Sequence, residues 1–338
     1  MHKLCKRLPW LMVIMLLANL GAVAQTQAQI AGQNLASVAS SYPIKPIRFV
    51  VPFTPGSASD ILARTVGERL AATWGQPVNV ENRPGAGSVI ATGQVAKTEP
   101  DGYTLIVVSA GHVVNPLFYG NLSYDTFKDF SGVIPLASLP SVLFVAPALG
   151  VSTAKELVSL AHAKPGVLNY ASGGAGSASH VNAEKFIAAT SIDVVHVPLK
   201  GAPEMVTETI GGRTQFGFLP IISALPTLRG GKLKALAVSS RNRSNTLPDT
   251  PTMAEAGMPT AEFNFWIGLL APSKTPRDIV SKLNTEIARI LQTPDVRDRL
   301  ANLGADPMLL TPVEFDLYMH EEYKTLSRVI KPAGPTLK

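Results

Sequence analysis

A chain of 338 residues exceeds the usual single domain and is short for three, so two lobes of roughly 100 to 150 residues each are expected. Hydrophobic residues at 46% against charged residues at 16% exclude wholesale disorder, and 27 Gly with 27 Pro point to many defined turns between apolar elements. The formal charge of +6 is spread without a basic run or aromatic interleaving, which argues against nucleic-acid binding.

At the N-terminus, Lys3, Lys6 and Arg7 precede an apolar run from Leu8 to Ala18, and the small residues Ala22-Val23-Ala24 stand before Gln25. This is the pattern of a cleavable secretory signal peptide over residues 1–24; the run is too short to span a bilayer. Cys5, the only cysteine, lies in the basic stretch ahead of the run, so the mature chain is expected to hold no thiol and, without the three leader cations, a formal charge of +3. Residues 25–41, rich in Ala, Gln and Ser, read as a flexible lead-in, with order beginning near Tyr42.

From there apolar runs alternate with helical patterns. Strands are predicted at 47–51, 78–81 and 104–108, with helices at 60–72 and 89–97 between them, the β-α-β-α-β order of a parallel sheet. A second sheet is predicted from strands at 142–145, 168–171, 194–197, 215–218 and 233–238, interleaved with helices after Thr153 and at 180–189, 204–210 and 222–230. The stretch 242–259, punctuated by Pro248, Pro251, Gly257 and Pro259, reads as a connection, and the apolar run 265–271 as a return to the first lobe. The tail is helical: Thr275-Pro276 and Thr311-Pro312 each pair a capping residue with proline at the first helical position and an acid two residues on. Lobe 1 is therefore expected over 42–140 plus 262–338, and lobe 2 over 141–261.

Three loops stand at the carboxyl ends of strands, where parallel sheets bind ligands. The first, Pro52-Phe-Thr-Pro-Gly-Ser-Ala-Ser-Asp60, opens a helix, so its backbone N–H groups and hydroxyls can approach an anion; Thr54, Gly56, Ser57 and Ser59 are the main candidates. The same residues fit a plain tight turn with Ser59 or Asp60 as the helix cap. The second loop, Ser109 to Asn115, contains Gly111 and His112. The third, Ala171 to His180, contains Ser172, Gly173, Gly174 and Ser177. With one loop set in each lobe, a ligand between lobes would be gripped from both sides.

Phosphate and dinucleotide motifs, the G-x-S-x-G elbow and H-E-x-x-H are all missing from the sequence, so neither a cofactor nor a metal is expected. His112 and His180, in the glycine-rich loops, could meet a ligand carboxylate; His162 and His320 read as surface or helix-packing residues, and His196 as structural within a strand. A periplasmic hydrolase or transferase using Asp60, His112 or His180 as acid or base is the alternative to a binding protein, although no activated nucleophile is visible.

Several segments together resemble the TctC-type (Bug) extracytoplasmic solute receptors of tripartite tricarboxylate transporters: the Pro52–Asp60 loop, Glu81-Asn-Arg-Pro-Gly-Ala-Gly87, Pro100-Asp-Gly-Tyr-Thr-Leu105, Asn115-Pro-Leu-Phe-Tyr119, His196-Val-Pro-Leu-Lys-Gly201, and Leu247-Pro-Asp-Thr-Pro. The resemblance implies an α/β, two-lobed periplasmic binding protein of the Venus-flytrap kind, with a mixed, mostly parallel sheet in each lobe and a hinge between them. It implies that the loops from Phe53 and Thr54 through Ala58 to Asp60 and from Ser109 to Asn115 hold a ligand carboxylate, while Gly173 to His180 and the turn Lys200-Gly201-Ala202-Pro203 close over its far end. The family often has an acidic residue near Leu219; with Leu219 apolar, the resemblance implies a less polar far end with weaker capacity for an ammonium group. Partners implied are a small carboxylate and either membrane permease subunits or a sensor kinase; a monomer is expected.

Overall fold

The computed structural model describes residues 41–330, so the signal peptide and nearly all of the lead-in lie outside the described residues. From Lys45 onward the chain forms one unit. It begins with β1 (Ile47–Val51), α1 (Ala58–Trp74), β2 (Val78–Asn82), α2 (Val89–Val95), β3 (Thr104–Ser109), α3 (Gly111–Phe118) and β4 (Phe130–Leu139). Beyond Pro140 it continues as β5 (Ser141–Val145), α4 (Ala154–Ala163), β6 (Asn169–Ser172), α5 (Ala178–Thr190), β7 (Val195–Pro198), α6 (Ala202–Ile210), β8 (Phe216–Pro220), α7 (Ile221–Arg229) and β9 (Lys234–Val238). It returns with β10 (Phe265–Pro272), α8 (Arg277–Leu291), α9 (Pro294–Asn302), β11 (Asp306–Pro307) and α10 (Pro312–Leu326).

Two sheets result, one per lobe, ordered β11-β4-β10-β3-β1-β2 and β7-β6-β8-β5-β9. Both are mixed. In the first, β1 pairs in parallel with β2 and β3, whereas β10 and β4 run antiparallel to their neighbours. In the second, β6 pairs in parallel with β7 and β8, and β5 pairs antiparallel with β8 and β9. The expected predominance of parallel pairing therefore does not hold. The strands on either side of the lobe crossings, β4, β5, β9 and β10, enter their sheets antiparallel.

Both faces of the second sheet are covered, and the period-2 alternation of β5 shows how. Leu143 and Val145 pack with Phe186, Phe216 and Phe218 on one face. Val142 and Phe144 pack with Met205, Leu219 and Leu225 on the other. Burying a side chain such as Phe186 contributes about 2 to 3 kcal/mol, and truncating it to alanine costs about 3 to 5 kcal/mol. Gly217 on β8 makes room for Phe144, since a Cβ there would stand 2.8 Å from Cζ of that ring.

The chain crosses between sheets at Pro140 and again just before β10, and Ser239 laces the two crossings. Its Oγ accepts from Ser141 N–H at 3.1 Å and donates to the Phe263 carbonyl at 2.9 Å.

Two predicted details change. Thr311 caps α10 in a full capping box with Glu314, but the N-cap of α8 is Pro276, not Thr275, and the Thr275 hydroxyl has no partner among the described residues. Residues 111–115, read as part of a loop, belong to α3.

Candidate functional site

The tetrapeptide Gly-Ser-Ala-Ser occurs twice, at 56–59 and at 176–179, and folds the same way in both lobes. Gly56 has φ +80° and Gly176 φ +74°, left-handed conformations that favour glycine. Ser57 follows at φ −68°, ψ 159° and Ser177 at φ −66°, ψ 157°. Each serine is the N-cap of its helix: Ser57 Oγ accepts from Asp60 N–H and Ser177 Oγ from His180 N–H, both at 3.3 Å. Neither Ser59 nor Asp60 caps α1. The helices so opened are 17 and 13 residues long, and both starts present unpaired N–H groups and the positive end of the helix dipole.

The two starts border one cavity. Ser57, Ala58 and Ser59 line it from lobe 1 with Phe53, Ser109 and Phe265; Ser177, Ala178 and Ser179 line it from lobe 2 with Gly173, Gly201, Ala202, Met205, Leu219, Pro220 and Ser223. Six of these residues are serines and none carries a formal charge. Its volume is about 40 Å³, room for a few waters.

Each loop is braced from behind. The Asp60 carboxylate accepts from Gly56 N–H at 3.0 Å, Asn82 Nδ2 at 2.9 Å and Arg64 Nε at 3.1 Å. Burial pushes its pKa up, but these donors outweigh burial and hold it below the usual carboxylate range. Asp60 is thus a fixed anion engaged in positioning its own loop, which leaves it poorly suited to act as a general base. Asn82 also donates to the Phe53 carbonyl at 3.0 Å.

In lobe 2, Ser179 Oγ accepts from Gly173 N–H at 2.9 Å and His180 Nδ1 accepts from Gly176 N–H at 3.0 Å. The His180 ring stacks on His196 at 4.0 Å, and His196 Nε2 lies 2.5 Å from Ser172 Oγ. Burial, with the neighbouring His180, pushes the His196 pKa down to about 3. Glu184 lies 3.5 Å from His180 Nε2 and accepts from Tyr170 Oη at 2.7 Å.

Of the residues singled out from sequence, Phe53, Ser57, Ala58, Ser59, Ser109, Gly173, Ser177, Gly201, Ala202 and Leu219 line the cavity. Gly56, Asp60, Ser172 and His180 stand behind it as braces. His112 faces the lobe 1 core, stacked on Tyr124 at 6.1 Å and edge-on to Phe130 at 5.6 Å, and burial pushes its pKa down to about 4. Asn115 donates to Ser88 Oγ and Tyr124 Oη, both at 3.2 Å. Lys200 is exposed and its N–H donates to Glu204. Asn82, Met205, Ser223 and Phe265 were not singled out. Only Asn82, inside the Glu81–Gly87 motif, carried a sequence signal.

Thr54, Gly111 and Gly174 belong to the seam along which the lobes meet. A Cβ on Gly201 would collide with Thr54 Oγ1, one on Gly87 with the Ala175 carbonyl, and one on Gly174 would stand 2.8 Å from Gly87 N. Tyr119 Oη donates to the Ala175 carbonyl at 2.8 Å, and the Phe118 ring lies 4.7 Å from His180. The lobe 1 side of the seam is strained: Ala86 at φ 44° and Ser88 at φ 95° are left-handed without being glycine.

Comparison with known proteins accords with this arrangement. Residues 62–334 match the model of the TctC family, tripartite tricarboxylate transporter family receptor. Protein BugT of Bordetella pertussis is 34% identical over 305 residues, spanning 89% of this chain and 93% of that protein. An R. palustris protein solved with adipate superposes with a TM-score of 0.83 at 34% identity, covering 87% of this chain and 98% of that one. MatC of Rhodopseudomonas palustris, with bound malate, gives 0.82 at 34% identity, covering 85% and 99%. The chain belongs to the tripartite tricarboxylate transporter receptor family, with the two-lobed α/β fold of periplasmic binding proteins.

Proposed function

We propose that this chain is an exported periplasmic receptor that captures a small dicarboxylate between its lobes, 42–140 plus 262–338 on one side and 141–261 on the other, for delivery to the permease subunits of a tripartite tricarboxylate-type transporter. The observation that carries this reading is the repeated Gly-Ser-Ala-Ser helix start, one copy on each side of a single cavity. Two such starts suit an anion at each end, each held by backbone N–H groups and serine hydroxyls. Adipate and malate in the two solved relatives are both dicarboxylates, which supports the choice. The apolar wall of Met205, Leu219 and Phe265 suits a hydrocarbon linker and disfavours an ammonium. Export is supported by the basic and apolar pattern of residues 1–24.

Calorimetry of the mature chain, residues 25–338, against dicarboxylates, their monoamides and monocarboxylates of equal length tests the proposal. A dicarboxylate should bind at least tenfold more tightly than its monoamide. Equal binding of the amide, or turnover of the acid, would overturn it.

A further inference from the structure

Most hydroxyls around the cavity whose bonding is defined are already engaged in holding their loops, as the Ser57, Ser177 and Ser179 contacts show. Ser223 differs. It sits in the first turn of α7, its Oγ is buried, and it has no hydrogen-bond partner among the described residues. It does not make the back-bond to the carbonyl four residues earlier that helical serines often form. It lies on the cavity wall with the apolar residues Leu219, Pro220 and Met205, while the other lobe 2 hydroxyls there, Ser177 and Ser179, are bonded within their own loop. An unsatisfied buried hydroxyl costs free energy that a ligand oxygen placed against it would recover.

We propose that Ser223 is a specificity-determining residue of this receptor: its hydroxyl donates to an oxygen at the lobe 2 end of the ligand and so distinguishes acids with a polar far end from those ending in a methyl group. The assignment rests on reading the cavity as the carboxylate site. A hydroxyl bonded to a carboxylate oxygen accounts for about ten- to a hundredfold in affinity, whereas the same hydroxyl left facing a methyl group favours nothing.

The test is Ser223→Ala, measured by calorimetry with a dicarboxylate and with the monocarboxylate of equal chain length that ends in a methyl group. The expected result is a loss of tenfold or more for the dicarboxylate, with monocarboxylate affinity unchanged or improved. The unliganded variant should melt at or above the wild-type temperature, because the substitution removes an unpaired hydroxyl and places a good helix former. Equal losses for both ligands with a lowered melting temperature would mark Ser223 as structural and overturn the assignment. Unchanged affinity for the dicarboxylate would overturn it too, while leaving the carboxylate reading intact. A wild type that binds neither acid overturns both.

Discussion

Gly111 of lobe 1 lies directly against the backbone of lobe 2: a Cβ on it would collide with the Gly176 carbonyl oxygen and stand 2.7 Å from Ala178 N. Gly111 is the first residue of α3, so alanine there costs lobe 1 nothing intrinsic and stands to gain up to about 1 kcal/mol of helix propensity. Gly111→Ala should therefore leave the unliganded melting temperature unchanged or slightly raised, while weakening ligand binding tenfold or more because the lobes cannot meet. Small-angle scattering should show a ligand-induced contraction in the wild type and none in the variant. A variant that contracts normally would refute this role for the seam.

Ser57→Ala and Ser177→Ala remove equivalent caps, and each should cost about 1 kcal/mol of stability. Ser177→Ala is expected to cost the more, because Ser177 Oγ also bonds Ser179 Oγ at 3.0 Å and so helps hold the hydroxyl that anchors Gly173. Denaturant unfolding of the two variants gives the comparison. A cost for Ser57→Ala well above that for Ser177→Ala would contradict it.

Acid should unfold the protein partly through His112 and His196. Burial lowers both, to about 4 and about 3, below the ordinary 6.5. The unfolded chain then binds protons that the folded one refuses, so their contribution is complete above pH 6.5 and is lost as pH falls toward the folded values. For His112 the loss amounts to about 3 kcal/mol by pH 4. His112→Phe, which keeps an aromatic ring against Tyr124 and Phe130, should flatten this arm of the stability curve. An unaltered slope between pH 6.5 and 4 would show that His112 does not contribute.

Glu322 predicts the opposite arm. Its carboxyl on α10 accepts from the Trp266 indole N–H, and burial pushes its pKa up to about 8, against the lowering effects of that bond and of Lys185. The folded state holds the proton more tightly, so stability is complete below about pH 4.5 and falls as pH rises through 8. Glu322→Gln should be more stable than the wild type at pH 9, with the difference shrinking toward pH 5 by at most about 1.4 kcal/mol per pH unit. Parallel stability curves would contradict this.

Apolar periodicity was enough to place most strands and helices within a few residues, because both lobes alternate buried strands with amphipathic helices. It failed where composition misleads. Residues 111–115 read as part of a loop, yet they open α3, which runs on through Pro116 with the loss of the one backbone hydrogen bond its missing N–H cannot donate. The long strand β4 passes unnoticed because Gly132 and Pro135 interrupt it; its register with β10 shifts twice along its length. At the site, the strand-end loops were legible because glycine, serine and a following helix have one common use. Met205, Ser223 and Phe265 were not, since each is an ordinary helix or strand residue until the two sheets bring it to the same cavity. His112 and Asn115 lay in the right segment, but α3 turns His112 into the lobe 1 core and sets Asn115 at the seam, between Ser88 and Gly176, away from the cavity wall.

The absence of any charged side chain on the cavity wall, among the described residues, shapes what the outside of the protein reports. Hydroxyls and helix ends stabilise an anion locally without neutralising it, so on the proposed reading a captured dicarboxylate would add its full charge to the receptor. Within about a Debye length, 8 to 10 Å, that change reaches the surface around the cleft mouth. A docking partner could then distinguish loaded from unloaded receptor by electric field as well as by shape, and native electrophoresis would register capture as a shift of two charges.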